Sequence, residues 1–153
     1  VNEEALALAR SLGATHTLNA ATSQDVAEDV RALTGGGAHV SIDALGITAT
    51  FHNSIRSLRK LGRHVQIGMP LEEHAMPSIP LLETVYSRQI SIMGTRGIAA
   101  SRFPALLGMI AAGRLQPSRM ITRRIGLSEA GQALAAMNGY GSAGVTVIDN
   151  LSA

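Results

Sequence analysis

The chain has 153 residues, 46% hydrophobic and 16% charged, with a net charge of +2. That is enough for one domain with a real core, and it is a globular composition rather than a disordered one. The absence of cysteine rules out a disulfide framework or a thiolate metal site; twelve scattered arginines, one lysine and four aromatics give no basic stripe for nucleic acid.

Val1 runs straight into the first expected helix. Asn2 is placed to cap it, Glu3 and Glu4 suit its positive end, Ala5, Leu8, Ala9 and Leu12 form one apolar stripe, and Gly13 stops it. A short extended segment over 15–18 follows. Thr22 and Asp25 have the spacing of a capping box for a helix burying Val26, Val30 and Leu33, ended by Gly35-Gly36-Gly37. His39 to Leu45 reads as a strand stopped at Gly46. Thr48 caps a helix carrying Phe51, Ile55 and Leu58 on one face, ended by Gly62, and Arg63 to Ile67 reads as a strand closed by Gly68.

Three prolines break the connection from Met69 to Pro80, where Glu72, Glu73 and His74 are expected to be exposed. A short helix near 82–87 leads into the strand Ile90 to Met93. Beyond Gly94 to Gly97, Ser101 caps a helix with Pro104 in its first turn. A strand near 120–125, a helix from Ser128 to about Met137 and a last strand over 145–149 complete the chain. No apolar run approaches membrane-spanning length and no secretory leader pattern is present, so a cytoplasmic protein is expected.

Helices alternating with β-branched strands up to residue 95 predict crossover units and a parallel sheet. Ligands of such sheets bind at the carboxyl ends of the strands. Those ends are Ala44-Leu45-Gly46, Ile67-Gly68-Met69 and Met93-Gly94-Thr95, each with a glycine that lets a ligand approach the backbone. The pattern Gly139-x-Gly141-x-x-Gly144 resembles a phosphate loop but follows a helix and opens a strand, the reverse of what pyrophosphate binding needs, and reads as a turn. The five histidines have no zinc-site spacing and are expected at the surface or at strand ends. Asp43 is expected to fix a loop by hydrogen bonding, Arg96 either to touch a phosphate or substrate carboxylate or to be solvated, and Met109, Met120 and Met137 to fill core.

Several stretches together resemble the zinc-type medium-chain alcohol dehydrogenases: residues 3–14, 40–46, 62–68, 90–97, 125–130 and 144–148. The resemblance implies an incomplete doubly wound (Rossmann) α/β sheet over 1–97, lacking its first two strands, and a C-terminal α+β segment of the catalytic domain over 98–153. It implies an oxidoreductase passing hydride between an alcohol or aldehyde and NAD or NADP, in a homo-oligomer. The nicotinamide carboxamide would meet Ile67, Gly68, Met69, Thr95, Arg96 and Gly97. Ala44, Leu45, Gly46 and Ile47 would line the adenosine side, and Asn2 would sit beside the adenine ribose.

The family's ribose-binding acid would fall before Val1, a supporting basic residue falls at Ala5, and a pyrophosphate-binding arginine falls at Val145. The zinc ligands and the proton-relay hydroxyl lie upstream in the family and are absent from this chain. The chain is therefore expected to be the C-terminal part of a longer enzyme, inactive alone, with an unpaired third strand and an exposed inner edge on the fourth. Two other readings are a zinc-independent quinone or enoyl reductase of the same superfamily and a non-catalytic dinucleotide-binding or interaction module.

Overall fold

A computed structural model describes residues 2–137 and 143–152. The elements in chain order are α1 (Glu3–Ser11), α2 (Val26–Leu33), β1 (Ala38–Asp43), α3 (Thr48–Arg56), β2 (Leu58–Gln66), β3 (Ser91–Gly94), α4 (Phe103–Ala111), β4 (Ile121–Gly126), α5 (Ala130–Ala136) and β5 (Val145–Asn150). Short 3-10 turns and one π-helical turn, Leu81–Tyr86, join them. Contacts divide the chain into two compact units: Ser23–Gly97, and the residues up to Thr22 together with those from Ile98 onward. This grouping differs from the expected division over the first 22 residues.

In the first of these units β1, β2 and β3 form a parallel sheet in that order, as the alternation of helices and strands predicts. This is a partial Rossmann-type sheet, with β1 at one edge. α3 packs on one face, and α2 packs against α3. Ile55, Leu58 and Ile90 form the buried core, with Phe51, Ile79 and Val85 packed around it. The other unit holds the parallel pair β4–β5, and the loop pattern that ends at Gly144 lies mostly outside the described residues.

Several local expectations are corrected. The segment 15–18 is not a strand, because a strand needs a ladder partner and none flanks it among the described residues. Asp25, not Thr22, caps α2; its Oδ1 accepts from the amides of Ala27 and Glu28 at 3.0 and 3.1 Å, and the helix buries Ala27 while Leu33 stays exposed. α3 has Ile47 rather than Thr48 at its cap position and ends at Arg56, not Gly62. The carbonyl of Ser57 accepts the Ala38 amide at 2.9 Å, so Leu58 enters β2 and becomes fully buried there. β2 turns through Leu61, whose φ of 63° lies in the left-handed region, before pairing resumes at Arg63. Ser101 lies inside a 3-10 turn that precedes α4 and does not cap it. Met109, Met120 and Met137 are exposed rather than core.

On the sheet face away from α3, Val40 is 52% and Ile42 60% exposed, and Met93, across Val65 from Ile42, is exposed too. An apolar face next to an unpaired edge strand recruits another chain. The purified 153-residue chain is therefore expected to sediment as an oligomer and to bind an apolar dye. A monomer with a cooperative thermal transition would contradict this.

Candidate functional site

The carboxyl ends of β1, β2 and β3 lie in one unit, and the backbone ties them together. The Asp43 carbonyl accepts from the amides of both Ile67 and Gly68 at 2.9 Å, and the Gln66 carbonyl accepts from Thr95 at 3.1 Å. Three of the expected contact groups, 44–47, 67–69 and 95–97, thus converge at one end of the sheet. Asn2 belongs to the other unit. There it caps α1, its Oδ1 accepting from the Glu4 amide at 2.8 Å.

The glycines of the first two turns serve a different purpose from the one expected. A Cβ on Gly68 would lie 2.3 Å from the Gly46 nitrogen, and one on Gly46 would lie 2.7 Å from the Met69 carbonyl oxygen. Each glycine is buried against the other turn, so what approaches the backbone here is backbone. Gly46 also has a φ of 86°, which a side chain would disfavour. The third turn is open: nothing lies within 4 Å of a Cβ on Gly94 or Gly97. Ile67, Met69, Thr95, Arg96 and Gly97 are all exposed. The surface open to a ligand is therefore built from the outer residues of the second turn and all of the third.

Beneath the turns runs a polar chain on the α3 face of the sheet. Ser41 and Asp43 of β1 stand in register with His64 and Gln66 of β2. Asp43 is 3% exposed. Its Oδ1 accepts from the amides of Leu45 (2.9 Å) and Gly46 (3.1 Å) and from the Thr50 hydroxyl (3.0 Å), and its Oδ2 accepts from Gln66 Nε2 at 3.0 Å. The expected loop-fixing role of Asp43 is what the geometry displays. Gln66 Nε2 also donates to the Gly68 carbonyl at 2.8 Å, anchoring the second turn. With the amide nitrogen so engaged, Gln66 Oε1 accepts from His64 Nε2 at 2.9 Å. His64 Nδ1 then accepts from the Ser54 hydroxyl of α3, also at 2.9 Å. Burial by itself would raise the Asp43 carboxyl, but the bonds from Gln66, Gly46, Leu45 and Thr50 outweigh it and hold it below its usual value.

His64 corrects the expectation that every histidine lies at the surface or a strand end. It is fully buried, with its ring edge-on to Phe51 at 5.2 Å. A buried imidazole needs partners for both nitrogens, and Ser54 and Gln66 supply them. His74, expected to be exposed, is half-buried with Nδ1 3.1 Å from the Thr48 hydroxyl. Thr50, Ser54, His64 and Gln66 were not singled out as site residues. The signal for two of them is in the sequence: polar 41 and 43 alternate with apolar 40 and 42, and polar 64 and 66 with apolar 65 and 67.

Among the described residues no group of three or more metal-ligating side chains comes together. With no cysteine in the chain either, the donor set of these residues does not fit a zinc ion.

An open parallel sheet with a helix crossing between its first two strands, and linked turns at the strands' carboxyl ends, defines a partial doubly wound α/β unit. The chain belongs to the zinc-binding dehydrogenase family, whose model matches residues 1–112. It is 32% identical over 152 residues to an NAD-dependent alcohol dehydrogenase of Sulfurisphaera tokodaii, covering 97% of this chain and 41% of that protein. It is 30% identical over 129 residues to an alcohol dehydrogenase of Cupriavidus necator, covering 84% of this chain and 35% of that one. The solved alcohol dehydrogenase of Aeropyrum pernix superposes with a TM-score of 0.82 at 26% identity, over 97% of this chain and 40% of the other. The chain thus spans about two-fifths of the length of these relatives.

Proposed function

We propose that this chain supplies one wall of the cofactor pocket in an NAD-dependent alcohol dehydrogenase. The convergence of the exposed turns 67–69 and 95–97, above a polar chain that fixes their backbone, carries this reading. Ile67, Met69 and Thr95 to Gly97 would face the nicotinamide, and Ala44 to Ile47 the adenosine side. A bound nicotinamide would accept the hydride from the alcohol carbon. The residues of this chain bind and orient the ring: Asp43 and Gln66 hold the first two turns, and the Gln66 carbonyl holds the third. NAD is preferred over NADP on the name of the Sulfurisphaera tokodaii relative alone. Asn2 beside the adenine ribose, and a division of the whole enzyme's domains after residue 97, belong to the same proposal. So do a homo-oligomeric, cytoplasmic enzyme and a small alcohol or aldehyde substrate. No helix among the described residues is long and apolar enough to cross a membrane.

Titration of the 153-residue chain with NAD, followed by backbone amide resonances, tests the reading. Changes are expected at 44–47, 67–69 and 95–97, without alcohol-dependent reduction of NAD. Changes confined to other residues, or turnover by the purified chain, would overturn it.

A further inference from the structure

At the other end of β2, three arginines turn toward one small cleft. It has a volume of about 330 Å³ and is lined by Ala27, Glu28 and Arg31 of α2, Arg56 of α3, Thr84 of the π-helical turn, and Arg88. Backbone carbonyls fix two of the guanidinium groups. Arg31 Nη1 donates to Leu58 O at 3.2 Å, and Arg88 Nη1 donates to Arg56 O at 3.3 Å. Arg56 is already matched by Asp25, at 2.5 Å. Glu28, the other carboxylate at the cleft, stands 3.6 Å from Arg31 Nε and is largely exposed. Arg88 Nη2 is buried and has no hydrogen-bond partner. Two cations thus share the cleft against one solvated carboxylate, and a charged donor is left unmatched.

We propose that this cleft binds a small oxyanion of the phosphate class, held by Arg31 and Arg88. A buried, unmatched guanidinium nitrogen is costly, and a small shift of the partly exposed Arg88 side chain would bring it to the cleft, where an oxyanion offers it a charge-assisted acceptor. A water molecule would accept one hydrogen bond but leave the repulsion between the cations in place. Burial, and then the nearby charge of Arg31, hold the Arg88 guanidinium below its usual value, so a neighbouring anion relieves both penalties. The planar fork of arginine suits tetrahedral and planar oxyanions alike, and the backbone carbonyls that hold one nitrogen of each group keep both guanidinium groups at the cleft. The cleft lies away from the cofactor turns, and nothing in the cofactor reading requires it.

The test is a titration of the 153-residue chain with inorganic phosphate at constant ionic strength, read from the arginine Nε–Hε resonances. Phosphate is expected to shift Arg31 and Arg88 saturably and to leave Arg114 and Arg119 unmoved. Arg88→Gln is expected to weaken phosphate binding about tenfold to hundredfold, the worth of one charge-assisted bond. Glu28→Gln removes a repelling surface charge without touching a donor and is expected to tighten binding about twofold to fivefold. A parallel titration with phosphoserine separates a site for the free ion from a site for a phosphate group carried on a larger molecule. Chloride reproducing the phosphate response overturns the proposal, as does unchanged affinity in Arg88→Gln. If Arg88→Gln fails to fold, unchanged affinity in Glu28→Gln overturns it instead.

Discussion

Asp43→Ala is expected to release the first two turns from the sheet. The substitution removes the acceptor of four donors at once: the amides of Leu45 and Gly46, the Thr50 hydroxyl and Gln66 Nε2. The Thr50 hydroxyl keeps the Ile47 carbonyl and Gln66 Nε2 keeps the Gly68 carbonyl, but the Leu45 and Gly46 amides are left without a partner at about 1–3 kcal/mol each, so a net loss of about 3 kcal/mol is expected. Hydrogen exchange at Leu45, Gly46, Ile67 and Gly68 reads this directly, as roughly a hundredfold faster local opening. Asp43→Asn is the sharper variant. An amide oxygen kept on the Leu45 and Gly46 amides turns Nδ2 toward Gln66 Nε2, donor against donor. Gln66 cannot flip without confronting His64 Nε2, so the conflict propagates along the chain to Ser54.

The same residue sets a pH dependence. The Asp43 carboxyl is held below its usual value of 3.8 in the folded chain, so the folded state binds this proton less readily than the unfolded one. Its contribution to stability is fully present above about pH 3.8 and is lost as the pH falls through the lower folded value. Asp25 is lowered too, first by its bond from Arg56, and titrates in the same acid range. Wild type against Asp43→Asn isolates the Asp43 part. Turn protection, corrected for intrinsic exchange, is expected to fall in acid for wild type and to fall less for the variant. Equal acid dependence in both would count against the assignment.

Strands were easier to read from the sequence than the joints between them. Each β-branched run ended by glycine became a strand, because period-2 patterning and a glycine stop are local properties. The segment 15–18 has strand-like residues but no neighbour, and strand formation is settled by the partner. The end of α3 was missed for a similar reason: Leu58 fits the apolar stripe of a helix, yet the Ala38 amide draws the Ser57 carbonyl into a sheet bond. Of the site, the three turns were legible from the rule that ligands meet the carboxyl ends of parallel strands. What fixes them was less visible. The link from Ser54 to His64 to Gln66 to Asp43 crosses three elements, and only the in-register pairing of β1 with β2 makes it one chain. The glycines carried a signal that was assigned to the wrong neighbour. A glycine at a strand exit says that something comes close, and local sequence does not say whether that is a ligand or another turn.

Gly68→Ala tests that distinction and is expected to damage the free chain by bringing a methyl group onto the backbone of the first turn. Were Gly68 there to admit a ligand, an added Cβ would weaken cofactor contact and leave the free protein intact. The geometry demands the opposite order. The Cβ would sit 2.3 Å from Gly46 N, 2.5 Å from the Leu45 carbonyl carbon and 2.7 Å from that of Ala44. All three are backbone atoms, with no side-chain rotation available to relieve the overlap. Overpacking of this kind costs about 3 kcal/mol, here by forcing the two turns apart. That separation strains the bonds from Ile67 and Gly68 to the Asp43 carbonyl, so exchange over 44–47 and 67–69 is expected to rise about a hundredfold before any ligand is added. Gly94→Ala is the matched control, since nothing lies within 4 Å of its added Cβ. It is expected to change local stability by no more than about 0.5 kcal/mol. If the structural effects of the two alanines came out equal, the interlocking of the first two turns would be refuted. With Gly68→Ala alone disrupting the free chain, the first two glycines hold turn against turn, and the backbone left open to solvent is that of the third turn.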